Sequence, residues 1–226
     1  MPKANPPVIQ VRQIYKRPLD LTILFLSLAM LFPLWILLWI SIPLAIWIED
    51  RGPIFYLQDR VGLGGRIFKV IKFRTMIPNA EKATGPVWAM ANDARITRIG
   101  RLLRKTALDE LPQTINILKG DMSFVGPRAE RPELNERFSK QIKSFDQRLS
   151  IRPGLTGLSQ LNGSYDIPPR AKLRYDLVYI KRMSPWLDLN LLLLSLRNTL
   201  LGRWDHRTTK TSKKSPGGHH DQRKLG

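Results

Sequence analysis

The sequence predicts an α+β fold, mostly helical, built as one modest domain behind an N-terminal membrane segment. Three observations carry this expectation. Leu21–Ile48 is a 28-residue run without a charge. Residues 53–76 hold two β-forming stretches around a glycine-rich turn. From residue 96 onward, apolar residues recur at helical spacing. The boundaries that follow are an N-terminal segment 1–15, a membrane helix 16–50, a main domain 51–201 and a basic tail 202–226. The whole chain has 226 residues, enough for a real core in the third of these.

The apolar run would measure about 42 Å as a straight helix, against a hydrocarbon core of about 30 Å. One pass fits and two do not. A cleaved signal peptide fits poorly, since the run is long and no small-residue cleavage site follows it. Pro33 and Pro43 interrupt the run, and a kink is expected at Pro33, where a backbone donor is lost. The flanks are basic on both sides: Lys3, Arg12, Lys16 and Arg17 before, Arg51, Arg60, Arg66, Lys69, Lys72 and Arg74 after. Keeping both flanks on one side of the bilayer favours a helix that enters and leaves through one leaflet; an ordinary kinked spanning helix is the alternative. Asp20, four residues after Lys16, reads as a helix-surface partner of Lys16 or as an acid anchoring Lys16 or Arg17 at head-group level.

Next comes a hairpin, Pro53–Gln58 and Arg66–Phe73, turned by Gly62, Gly64 and Gly65. Residues 77–94 read as a loop over the site. Ile96–Leu108 and Gln113–Leu118 are helical, with Gly120 as the stop. Ser123–Arg128 reads as a turn, 132–149 as one amphipathic helix opened by Pro132, and Arg152–Gly157 as a tight loop. Pro169–Met183 and Pro185–Leu201 are two further helices. The last is so apolar that it either faces the core or lies along a membrane interface, with Trp186 and Trp204 near the head groups. Beyond Trp204 the composition is that of a disordered tail.

Composition narrows the chemistry. The formal charge is +19, from 37 Lys and Arg against 18 Asp and Glu, and the excess is spread over the body rather than confined to the tail. Such a field favours phosphorylated or anionic partners, including anionic lipid. There is no cysteine, and His206, His219 and His220 all lie in the tail. Thiol catalysis and histidine catalysis in the body are thereby excluded.

What remains is the pair Asp109-Glu110, ringed by Arg101, Arg104 and Lys105 upstream and Arg128 downstream, with Lys72 and Arg74 at the end of the second strand. Two carboxylates among fixed cations suit phosphoryl transfer with Mg²⁺, a hard cation that takes one or two carboxylates plus substrate phosphates. Either acid could bind the metal or attack phosphorus. Taken alone, the pair reads as a solvated helix cap. Pro112 favours extended backbone at Leu111, and a break there would turn both acids into one pocket.

Six motifs then occur in order: Lys16-Arg-Pro-Leu-Asp20, Lys72-Phe-Arg-Thr-Met76, Leu108-Asp-Glu-Leu-Pro-Gln113, Asn116–Arg128, Arg152–Gln160 and Tyr175-Asp-Leu-Val-Tyr179. Together the chain resembles the bacterial sugar transferase family, the monotopic phosphoglycosyl transferases, over roughly Lys16–Leu201, in the form of a catalytic core alone. The resemblance implies transfer of a sugar-1-phosphate from a UDP-sugar to polyprenyl phosphate with release of UMP. It implies Asp109 as nucleophile and Mg²⁺ ligand, with Glu110 completing the dyad. Arg104 and Arg128 then lie near substrate phosphate, with Lys72, Arg74 and Arg152 in shared motifs. It also implies a re-entrant, helix-break-helix membrane anchor that includes Lys16, Arg17, Asp20 and Pro33, with the domain expected on the cytoplasmic face of the bacterial inner membrane. Two departures stand out: Phe32 where a serine often precedes the helix-breaking proline, and Ala129 where a second proline is usual.

The competing expectation is a basic membrane-anchored scaffold or nucleic-acid-binding protein. No helix-turn-helix, zinc or RNA-binding signature supports it, so no nucleic acid is expected as partner. The sequence leaves open which sugar is moved, whether the chain forms a homodimer, and whether downstream glycosyltransferases dock on it.

Overall fold

The computed structural model describes residues 13–80, 93–162 and 167–204. The expectations for the 77–94 loop, the first residues and the tail fall largely or wholly outside this range.

The predicted membrane segment is two apolar helices, α1 (Lys16–Met30) and α2 (Phe32–Glu49). Helical geometry fails at Leu31 (φ −113°, ψ 24°), one residue before Phe32-Pro33. Pro33 therefore opens α2 in its first turn, where a missing N–H costs nothing, instead of kinking a continuous helix. Pro43 is carried inside α2 without a break. The two outer ends of this unit are buried and its middle is not. Lys16, Asp20 and Leu24 of α1 are buried, as are Ile42 and Ile46 of α2. Between them Phe25, Met30, Phe32, Leu37 and Ile40 are exposed. By length and composition α2 could cross a membrane, with a mean hydropathy of 1.8.

Strands β1 (Phe55–Val61) and β2 (Ile67–Phe73) form the expected antiparallel hairpin, Phe55 opposite Phe73 and Val61 opposite Ile67. Alternation sends Phe68, Val70 and Lys72 to one face. There Phe68 and Val70 pack with Ile117, Met122 and Ala129. On the other face Phe73 joins Ile42 and Ile46 of the membrane segment and Leu103. The hairpin thus lies between α2 on one face and α4 on the other.

Helices α3 (Arg98–Thr106) and α4 (Gln113–Lys119) match their predicted positions, and Gly120 ends α4 in the left-handed region at φ 88°. At Ser123–Arg128 the predicted turn is instead a short strand, β3 (Ser123–Val125). It pairs in parallel with β4 (Gly154–Thr156), which occupies the predicted tight loop. The glycines permit this: a Cβ on Gly154 would sit 2.0 Å from the Gly126 nitrogen. The single helix expected over 132–149 is α5 (Pro132–Gln141), which ends where Ile142 turns extended (φ −124°, ψ 111°), followed after a left-handed Ser144 (φ 66°) by a 3₁₀ stretch, Phe145–Ser150. The short α6 (Leu158–Asn162) was not foreseen. Helices α7 (Pro169–Arg182) and α8 (Pro185–Leu200) close the fold. Leu191 of α8 is buried with Val125, Ile151 and Tyr179, while Trp186, Leu193, Leu196 and Leu200 stay exposed.

Candidate active site

The acidic pair owes its geometry to the end of α3. Ala107 takes the left-handed conformation (φ 56°, ψ 18°), its N–H closing on the Leu103 and Arg104 carbonyls. The chain then tightens into a 3₁₀ turn, Leu108–Glu110, before α4 begins. Leu108 and Leu111 pack into the Phe73–Leu103 core and fix the turn from below. The expected break at Leu111 is absent: that residue is helical (φ −51°, ψ −41°), and its N–H bonds the Leu108 carbonyl. The break lies two residues before the acids, at an alanine that carries no glycine-like signal.

The two carboxylates have different surroundings. Glu110 Oε1 accepts from Lys72 Nζ at 2.6 Å and from an Arg128 guanidinium nitrogen at 2.8 Å. Asp109 is 9 % exposed, yet among the described residues no donor reaches its carboxylate. Burial pushes the Asp109 carboxyl up, with the Glu110 charge adding to it, against the pull of Lys72, Arg104 and Arg128. Burial also opposes ionisation of Glu110, but Arg128 and Lys72 outweigh it and hold this carboxyl far below the usual range. One site thus contains a firmly ionised, clamped acid beside a nearly buried, unclamped one. That split is what distinct chemical roles require.

Each cation is held by its own part of the fold. Lys72 ends β2 and is depressed by burial, with Glu110 restoring its charge. Arg104, on α3, donates Nε–H to Thr75 Oγ1 at 2.8 Å. Arg128 rides on a loop whose carbonyls are engaged in turn. Pro127 accepts from the Gly154 N–H, Arg128 from Arg148, Ala129 from Arg60, and Glu130 from the Val61 N–H. Arg148 is itself buried against Asp176 at 2.8 Å and Glu130 at 3.5 Å, and Lys172 also pairs with Glu130. Thr75, Arg60, Arg148, Glu130, Lys172 and Asp176 were not singled out from sequence. Thr75 and Asp176 lay inside quoted motifs without a role of their own; the others look like ordinary surface charges until the fold buries them.

The remaining expected residues sit elsewhere. The Arg74 guanidinium is taken up by Asp50 at the foot of α2. Arg152 Nε donates to the Gly120 carbonyl at 2.9 Å, and Arg17 donates to the Ile117 and Leu118 carbonyls, so both cap the end of α4. Lys16, expected at head-group level, is 1 % exposed and bonds Val125 O, Tyr179 Oη and Asp188 Oδ2. Asp20 pairs with neither Lys16 nor Arg17; its Oδ1 accepts from the Ser123 hydroxyl and the Phe124 N–H. The reason is that α1 turns this face into the protein, against β3, and not toward solvent.

Among the described residues no group of three or more carboxylates or histidines could hold a metal by itself. A single carboxylate without a protein donor does fit Mg²⁺, which leaves most of its coordination to water and substrate phosphate.

The family profile described as bacterial sugar transferase matches residues 11–202. The chain belongs to that family. Among curated bacterial sugar transferases, it is 38 % identical over 190 residues to an Aeromonas hydrophila protein named UDP-N-acetylgalactosamine-undecaprenyl-phosphate N-acetylgalactosaminephosphotransferase, covering 83 % of this chain and 44 % of that one. It is 41 % identical over 175 residues to the Xanthomonas campestris pv. campestris UDP-glucose:undecaprenyl-phosphate glucose-1-phosphate transferase, covering 75 % and 36 %. It is 36 % identical over 191 residues to the Salmonella typhimurium undecaprenyl-phosphate galactose phosphotransferase, covering 78 % and 38 %. The chain spans less than half the length of each of these three relatives. Their names carry three different sugars, so this degree of identity does not assign one.

Proposed function

We propose that this bacterial sugar transferase moves a sugar-1-phosphate from a UDP-sugar to polyprenyl phosphate, through a covalent intermediate on Asp109. The observation that carries the reading is the inequality of the two acids: Glu110 is locked by Lys72 and Arg128, whereas Asp109 has no donor among the described residues. In the first step an Asp109 carboxylate oxygen bonds to the sugar-bearing phosphorus. The bond from that phosphorus to the bridging oxygen breaks, and UMP leaves with that oxygen and the electron pair. In the second step an oxygen of polyprenyl phosphate attacks the same phosphorus, the acyl-phosphate bond breaks, and Asp109 recovers its carboxylate.

Both attacking groups are already anions at neutral pH, so neither step needs a histidine base. Glu110 acts as the pin that holds Lys72 and Arg128 at the phosphate position, and Arg104 approaches from α3. Mg²⁺ is the cation that suits the site: Asp109 would hold it, and it would supply positive charge to neutralise the leaving group.

The same reading places the domain on the cytoplasmic face of the inner membrane, with α1 and α2 entering one leaflet. Both ends of this unit are tied to one body. Lys16 bonds residues of α7 and α8, and the Glu49 carboxylate accepts the Arg98 and Ile99 N–H groups at the start of α3. A straight 34-residue helix would hold those ends about 51 Å apart. The break at Leu31 removes that separation and leaves the exposed apolar middle for lipid.

The test is UMP release from UDP-glucose, UDP-galactose and UDP-N-acetylgalactosamine with polyprenyl phosphate and Mg²⁺. At least one donor supports turnover, and Asp109→Asn abolishes it. Full activity in that variant overturns the mechanism.

A further inference from the structure

We infer that Thr75 is a positioning residue for Arg104, fixing which edge of its guanidinium is offered to substrate phosphate; this rests on the functional reading above. A guanidinium can grip a phosphate through Nε and one terminal nitrogen, or end-on through both terminal nitrogens. The structure has already committed Nε: it donates to Thr75 Oγ1 at 2.8 Å. Among the described residues neither terminal nitrogen has a partner, so the end-on edge is the one left to bind. Arg104 is also one of the cations whose charge acts on the Asp109 carboxyl, alongside Lys72 and Arg128.

Thr75 is built to hold this bond. Its side chain is buried, and its carbonyl accepts the Thr97 N–H at 3.1 Å. Thr97 in turn caps α3, its hydroxyl accepting the Gly100 N–H at 2.9 Å. Gly100 lies against the same residue: a Cβ there would come within 2.1 Å of the Thr75 carbonyl oxygen. The backbone of residue 75 and the first turn of α3 are therefore one rigid contact, and the hydroxyl reaches along α3 to Arg104. An arginine stem of four rotatable bonds gains a defined aim from one hydrogen bond at its neck. Lysine could not use this device, having no Nε–H and no second terminal nitrogen.

The experiment uses the full chain in detergent, with the three UDP-sugars above, polyprenyl phosphate and Mg²⁺. Thr75→Val keeps the shape and removes the hydroxyl; Thr75→Ser keeps the hydroxyl. The loss expected for Thr75→Val is about tenfold in kcat/KM, the scale of a hydrogen bond to a charged group. Thr75→Ser is expected to restore most of it, with melting temperatures of both variants near wild type. In an Arg104→Ala background, Thr75→Val is expected to cost less than twofold, since the residue it aims is gone.

Equal losses in both backgrounds, or a Thr75→Val rate equal to wild type while Arg104→Ala is slow, overturn the assignment of Thr75 alone. Wild-type rates in Arg104→Ala overturn the role of Arg104 and Thr75 with it. No UMP release by the unmutated chain overturns the functional reading first.

Discussion

Removing the Lys16 ammonium tests how the membrane segment is fastened to the domain. The side chains of Lys16 and Asp188 are 1 % and 3 % exposed and meet at 2.8 Å. Nζ also donates to Tyr179 Oη and to the Val125 carbonyl, each at 2.7 Å, while the Tyr179 hydroxyl donates to Asp188 Oδ1 at 2.6 Å. In Lys16→Met the methylene stem is retained but Asp188 keeps a buried charge with one neutral donor. Orphaning one member of a buried pair costs about 3–5 kcal/mol. For a chain of this size that corresponds to a fall in Tm of roughly 6–20 °C. Replacing both charges, in Lys16→Met/Asp188→Leu, removes the orphan and is expected to recover most of the loss. The assay is thermal unfolding of the detergent-solubilised chain followed by circular dichroism. A single variant within about 1 kcal/mol of wild type, or a double variant as unstable as the single, would refute the claim that this pair is a buried clasp.

Other predictions follow from the same geometry. Burial opposes ionisation of Glu130, yet Lys172 and Arg148 bring its carboxyl down to about 2. A depressed acid stabilises the fold above its unfolded pKa, near 4.5, and that contribution vanishes as pH falls to about 2. Glu130→Gln should therefore be markedly less stable than wild type at pH 7 and nearly equal at the acid end, as read from urea midpoints. For Asp109 the sign reverses. A raised carboxyl destabilises the fold above its folded pKa, so Asp109→Asn should melt higher than wild type at pH 8, with the difference fading toward pH 4. Gly100→Ala forces α3 off Thr75 and should lower kcat/KM at least tenfold, measured by UMP release. Because the chain has no cysteine, Ile14→Cys and Arg98→Cys give clean labels on either side of α1–α2. Both should react with an impermeant maleimide from the same face of membrane vesicles, and reaction from opposite faces would mean a spanning helix.

How much of this was legible in the sequence depends on how local the deciding contacts are. The hairpin, α3, α4 and the left-handed Gly120 rest on nearest-neighbour signals, and each lies where the residues indicate. Strands β3 and β4 gave no such signal. They are three residues each, flanked by Gly and Pro, and pair across some thirty residues of chain. Lys16 and Asp188 are 172 residues apart, so α1 read as a surface helix with an Asp20 partner when its face is in fact buried. At the site, Lys72, Arg104, Arg128 and both acids were visible as a charge cluster. What tells them apart was not, since it comes from Ala107 turning left-handed without a glycine and from buried partners such as Thr75 and Arg148. Arg17, Arg74 and Arg152 look the same as these in sequence, yet they satisfy backbone carbonyls.

The most direct test of the central claim is intact-protein mass spectrometry after incubation with a productive UDP-sugar and Mg²⁺ in the absence of polyprenyl phosphate. The mechanism predicts one sugar-phosphate adduct per chain, mapped by peptide digestion to Asp109, with one equivalent of UMP released and no adduct in Asp109→Asn. UMP release that requires the lipid acceptor and leaves no adduct, or an adduct that persists in Asp109→Asn, would contradict it.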